Sequence, residues 1–164
     1  MKLTSVQAII RALDEAKVRF LVVGGLAVNA YGHHRFTRDV DVVLDLARDN
    51  LERAFAALAD LGYRPSVPVT PAHLASDATR EVLIQEKGMR VLQFWSDRHR
   101  ETPIDAFVDL PFPFDEEYAR ATTLPLSGAG PVPFVARPML IRMKEAAGRP
   151  QDLLDIHHLK ELDG

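Results

Sequence analysis

The sequence predicts an α/β (α+β) fold: a small mixed β-sheet with helices packed mainly on one face. Three observations carry this. Apolar, β-branched runs such as FLVV at Phe20–Val23 and VDVVL at Val40–Leu44 are too short for typical helices. Around them stand segments whose apolar residues recur at helical spacing. The two kinds alternate as strand, helix, strand, helix, which argues for a sheet covered by helices.

A chain of 164 residues is one domain by the usual prior, with a core at about 18–110 and a C-terminal helical part at about 136–164. Its 47% apolar and 26% charged content is that of an ordinary globular protein. The formal net charge of −3 supplies no global field for nucleic acid, so a polynucleotide partner would need a local basic patch. The absence of cysteine excludes disulfides and thiolate zinc sites. The start, MKLTSVQAII, lacks the apolar stretch and cleavage site of a secretory signal, and no apolar run could span a bilayer. The expected location is cytoplasmic, with no membrane partner. Oligomeric state is left open.

In chain order, Thr4 and Gln7 suggest a capping box for a first helix with Val6, Ile9, Ile10, Leu13 and Ala16 as its buried stripe. Phe20–Val23 is a strand ended by Gly24-Gly25, after which Leu26–Tyr31 starts a short helix. Asp39 to Leu44 is the next strand. Asp49 and Glu52 suggest a second capping box, opening an amphipathic helix that ends at Gly62. Residues 63–71 hold three prolines and read as a connection. Thr70-Pro71 reads as N-cap and first turn of a helix running to about Glu86 and stopped by Gly88. Arg90–Trp95 and Thr102–Asp109 read as two strands joined by the polar turn SDRHRE. A short helix or strand near Glu116–Ala121 precedes an irregular, proline- and glycine-rich hairpin. Two helices, Pro138–Ala147 and Gln151–Leu162, close the chain.

The chemistry concentrates around Phe20–Asp45. Glycines at 24 and 25 let the backbone take positive φ and bring bare N–H groups close to a ligand, and the amides opening the next helix make a seat for phosphate. Strand side chains alternate, so Asp39 and Asp41 project on one side, about 6–7 Å apart. Such like charges repel unless a cation neutralises them, and hard divalent ions such as Mg2+ favour oxygen ligands. On the later strand Asp105, Phe107 and Asp109 share one face, opposite the core-facing Ile104, Ala106 and Val108.

A Gly-Gly turn opening a helix, followed by Asp-x-Asp on a strand, resembles the signature of the DNA polymerase beta-like nucleotidyltransferases. The Arg-x-x-Arg-Asp-x-Asp form from Arg35 to Asp41 resembles the small bacterial branch that includes AbiEii-type toxins and minimal nucleotidyltransferases. That family adds a third carboxylate on a later strand, which Asp105 matches, with Asp109 a weaker candidate. It also carries a Lys, then an Arg and Asp-x-x-Asp on C-terminal helices, matched by Lys144, Arg149, Asp152 and Asp155. The resemblance spans about residues 20–158.

The resemblance implies metal-dependent transfer of NMP from an NTP to an acceptor hydroxyl, releasing pyrophosphate. Asp39, Asp41 and Asp105 would be catalytic and hold two Mg2+ ions, with Mn2+ as an alternative. Gly24, Gly25, Arg35, Arg38 and Lys144 would bind the triphosphate, with Arg149, Asp152 and Asp155 supporting them. Many relatives have Gly-Ser at the turn, whose hydroxyl adds a phosphate contact; Gly-Gly leaves backbone amides alone. The acceptor would be a tRNA end, a partner protein or a small molecule such as a lincosamide or aminoglycoside. A non-catalytic nucleotide-binding module is the alternative of another class.

Each motif also has a plain structural reading. Arg35 and Arg38 could pair with the carboxylates, Lys144 could be a surface lysine, and Arg149, Asp152 and Asp155 could form a salt-bridged helix start. The adjacent pairs His33-His34 and His157-His158 read as polar surface or base-stacking contacts rather than a zinc site, because helical neighbours point about 100° apart. His99, between Arg98 and Arg100, sits in a modest basic turn.

Overall fold

A computed structural model describes residues 1–162. The mixed α/β architecture expected from the sequence is the one observed. Helix α1 (Leu3–Glu15) buries Val6, Ile9, Ile10 and Leu13 along one stripe. The chain then reverses through Lys17 (φ 57°) into β1 (Phe20–Val23), whose four residues are all buried. Helix α2 (Gly24–Ala30) leads to an extended segment and β2 (Val40–Leu44), which returns antiparallel to β1.

Helix α3 (Arg48–Asp60), β3 (Tyr63–Pro65), α4 (Pro71–Ala75), α5 (Asp77–Gln85), β4 (Val91–Ser96) and β5 (Ile104–Phe107) follow. Helix α6 (Phe114–Ala119) precedes the hairpin β6 (Thr122–Leu126) and β7 (Gly130–Phe134), then α7 (Arg137–Ala147) and α8 (Pro150–Glu161). The sheet has seven strands in the order β3-β4-β5-β2-β1-β7-β6. β2 pairs parallel with β5 and β1 parallel with β7; the remaining pairs are antiparallel. β1 and β2 are therefore central, which explains their almost unbroken apolar composition.

Several local expectations change. Thr4 and Gln7 form no capping box: Lys2 is the N-cap of α1, and the Gln7 amide donates instead to the Ser127 carbonyl of the β6–β7 turn. The second box is also absent, since α3 begins at Arg48 and its start is held by the Asp45 carboxylate accepting from the Ala47 amide (3.0 Å). Asp49 and Glu52 pair instead with Arg53 and Arg48 along the helix. The helix expected from Pro71 to Glu86 is two helices. Ser76 takes an extended conformation (ψ 116°), and its hydroxyl caps Thr79 of α5 (3.2 Å). A serine that satisfies the next helix's orphan N–H makes a break cheap at that point. The Thr70 cap is present, reinforced by the His73 ring.

Tyr63, read as the start of a connection, is buried in strand β3 and donates to the Thr102 carbonyl (2.7 Å). The hairpin read as irregular is a regular antiparallel pair, and its β7 joins β1 at the middle of the sheet. Among the described residues, no helix is long and apolar enough to cross a membrane.

Candidate active site

Strand register creates the site. Asp41 on β2 faces Val23, the last residue of β1, on one side and Asp105 of β5 on the other. Gln93 of β4 is the next partner in the row, opposite Asp105. Neighbouring strands lie about 4.8 Å apart, so the aligned side chains stand shoulder to shoulder. Gln93 donates to the Asp105 carboxylate (3.3 Å). Asp39 sits in the bend that starts β2, and its Oδ1 is buried with no hydrogen-bond partner.

Gly24 is obligatory here for a reason the sequence did not show. It takes φ +67°, and a Cβ on it would lie 2.8 Å from the Asp41 Cγ. Gly25 is equally crowded, with the Thr37 Cβ 2.7 Å from the position its own Cβ would take. Both glycines therefore let the 37–41 segment close onto the turn.

The electrostatics follow from this crowding. Burial, then the charges of Asp105 and Asp39, push Asp41 up to about 7 against the pull of Lys144 and Arg149. Asp105 is raised by burial and by Asp39, tempered by the Gln93 hydrogen bond and Arg38. Among the described residues, no three His, Cys, Asp or Glu side chains close around one point as a finished metal centre does. The carboxylates form an open set instead. Mg2+ commonly binds through one or two carboxylates plus substrate phosphates rather than in an all-protein cage. An orphaned Asp39 oxygen, two proton-attracting neighbours and an all-oxygen donor set fit such an ion.

The C-terminal helices supply the cations. Asp152 and Asp155 on α8 are 1% and 0% exposed, not at a solvated helix start. Lys144 of α7, itself buried, reaches both, at 3.3 Å and 3.0 Å. Arg149 grips Asp152 (2.7 Å), and Arg35 holds Asp155 with two bonds of 2.7 and 2.8 Å. Burial alone would raise Asp155, but hydrogen bonds from Arg35, Lys144 and Gln151 overcome it and hold the carboxyl at about 2. Arg35 also donates to the Phe36 carbonyl (2.8 Å), so its guanidinium braces the segment leading into β2 against α8.

Arg38 is exposed, and among the described residues its side chain makes no hydrogen bond or ion pair. Asp39, Asp41, Asp105, both glycines, Arg35, Arg38, Lys144, Arg149 and Asp152 line one cleft of about 930 Å³, whereas Gln93 and Asp155 lie outside its lining. A smaller recess of about 410 Å³ lies elsewhere, beside Asp45 and Phe114, away from the carboxylates.

A family model for the nucleotidyl transferase AbiEii toxin of type IV toxin–antitoxin systems matches residues 8–164. The chain belongs to the AbiEii family. It is a nucleotidyltransferase, and the resemblance read from Gly24-Gly25, Asp39-x-Asp41 and the C-terminal motif is borne out at that level. No curated protein matches it by sequence.

Solved structures share the fold of this AbiEii-family chain. The solution structure of the antibiotic-resistance factor ANT(2'')-Ia has a TM-score of 0.65 at 15% identity, covering 99% of this chain and 84% of that one. The lincosamide antibiotic adenylyltransferase LnuA, bound to lincomycin, has a TM-score of 0.60 at 14% identity, covering 91% and 90%. An antigenic nucleotidyltransferase-like protein from Paracoccidioides brasiliensis has a TM-score of 0.61 at 19% identity, covering 98% and 75%. At such identities the likeness is one of fold.

Sequence reasoning missed three features of the candidate site in this AbiEii-family chain. Gln93 was one of several polar residues until the β4–β5 register set it beside Asp105. Arg142 lines the cleft from α7 and, among the described residues, makes no side-chain hydrogen bond or ion pair. Thr37 packs over Gly25. Asp109 lines the cleft too, but it is ion-paired with Arg90. The histidines do not converge on an ion: His33 and His158 stack face to face, with ring centroids 3.8 Å apart. His99 hydrogen-bonds Ser5 (2.8 Å) and stacks on Tyr63, so it is part of the packing rather than a free basic contact.

Proposed function

We propose that the protein transfers NMP from an NTP to an acceptor hydroxyl, with the 3′ end of an RNA such as tRNA as the acceptor. The observation that carries the reading is the row of Asp41 and Asp105 beside the orphaned Asp39 oxygen, facing Lys144 and Arg149 across one cleft. The acceptor oxygen forms a bond to the α-phosphorus. The bond from that phosphorus to the β-bridging oxygen breaks, and pyrophosphate leaves with the electron pair. The hydroxyl proton goes to Asp105, whose raised proton affinity suits a general base.

Asp39, Asp41 and Asp105 would hold Mg2+. Bound there, the ion would neutralise phosphate charge and polarise the reacting oxygens. Lys144 and Arg149 would face the leaving pyrophosphate beside Gly24 and Gly25. Arg38 is the better phosphate ligand of the two candidate arginines, because the Arg35 fork is already engaged by Asp155. Catalysis would then rest on positioning and charge complementarity.

RNA is favoured as acceptor by the local cations at the cleft, where exposed Arg38 and Arg142 answer the need for a basic patch on a chain of net charge −3. The decisive experiment incubates the protein with α-labelled NTPs, Mg2+, total RNA and cell lysate. Label in RNA supports the proposal, and label in a protein band or a small molecule moves the acceptor. Label in none, with nucleotide still bound, leaves the non-catalytic module.

A further inference from the structure

We propose that Phe107 is the platform on which the acceptor's terminal base lies while its neighbouring hydroxyl reacts. This rests on the RNA-acceptor reading above. In-line displacement puts the attacking oxygen and the leaving pyrophosphate on opposite sides of the α-phosphorus. The sheet runs in the order β5-β2-β1, so Asp41 separates the Gly24-Gly25 end from the Asp105 end. With the pyrophosphate beside Gly24, Lys144 and Arg149, the acceptor arrives over β5.

What waits there is a half-exposed aromatic ring. Phe107 shares the cleft-lining face of β5 with Asp105, one alternation further along, about 6–7 Å away. Leu110 and Pro111 extend the apolar surface beyond it. The carboxylate at that end, Asp109, is already neutralised by Arg90. A polycationic aminosugar would therefore find little to pair with. A flat ring adjoining the hydroxyl would find a stacking surface.

The test uses the full chain with Mg2+ and a non-hydrolysable NTP analogue. Two short RNAs are compared by fluorescence anisotropy, identical except that one ends in an abasic ribose with a free 3′ hydroxyl. The wild type is expected to bind the base-bearing end about tenfold or more tightly, the usual scale of base–aromatic stacking. Phe107→Leu should erase that preference, and Phe107→Trp, which restores a ring in case the leucine variant folds poorly, should keep it. Equal binding of both RNAs by the wild type, binding of neither, or a preference that survives in Phe107→Leu overturns the assignment. Transfer to some other acceptor in the labelling experiment would at the same time leave nucleotidyl transfer standing.

Discussion

Asp41 and Asp105 are direct partners in the parallel pairing of β2 with β5, so the two acids stand side by side on the same face of the sheet. Folding forces them together while partly drying them. The protein carries this repulsion as a standing cost, and proton uptake relieves it.

Replacing Asp41 with Asn should abolish transfer yet stabilise the metal-free protein. Asp41 is raised from 3.8 to about 7, so its ionisation penalty is absent below pH 4 and fully present above pH 7. The gain in thermal midpoint should be a few degrees, about 2–4 °C for each kcal/mol recovered, at pH 8, and near zero at pH 4. Paired melting curves at the two pH values check this. A gain that is larger in acid would contradict the assigned origin.

Mg2+ should raise the thermal midpoint of the wild type in a concentration-dependent way, and chelation should reverse it, because an ion that binds the folded state alone stabilises by mass action. Asp39→Asn should remove most of the response. An identical Mg2+ response in that variant would rule out Asp39 as a ligand.

Gly24→Ala should reduce activity at least about a hundredfold, since the new Cβ would overlap the Asp41 carboxyl. Gly148→Ala is the control. That residue also has positive φ (+63°), but the nearest atom to its Cβ position is a backbone oxygen at 3.7 Å. It should cost about 1–2 kcal/mol of stability and leave turnover intact. Comparing kcat and unfolding midpoints for both variants separates backbone strain from displacement of Asp41.

Arg35→Ala should destabilise the fold by roughly 3 kcal/mol, because it strips the forked partner from the fully buried Asp155. Asp155 is held at about 2 in the fold against 3.8 when unfolded. Its contribution is therefore present above pH 4 and lost as the pH falls through 2. Urea midpoints of wild type and variant should differ most at neutral pH and converge near pH 2.

Much of the fold was legible because its signals are local. The apolar alternation of Ile104-Asp105-Ala106-Phe107, the stripe of α1 and the Thr70-Pro71 cap each depend on a handful of neighbouring residues. The caps that failed did so because another partner won the side chain: Ser127, distant in sequence, for Gln7, and arginines one helical turn away for Asp49 and Glu52. Strand β7 holds residues 130–134, Gly-Pro-Val-Pro-Phe, whose two prolines argue locally for an irregular hairpin. Its place beside β1 comes from a pairing more than a hundred residues away in sequence.

The sequence alone determined, through its resemblance to the nucleotidyltransferases, that three aspartates, a glycine turn and a Lys, Arg and Asp-x-x-Asp motif are candidates for one site, since residue type and motif order are properties of the chain itself. Only the tertiary structure decided which groups meet. Parallel pairing brought Asp105 to Asp41, burial turned Asp155 from a surface acid into the anchor of Arg35, and crowding made Gly24 a requirement of Asp41. These are distances between elements, set by how the sheet and helices pack, and no local pattern records them.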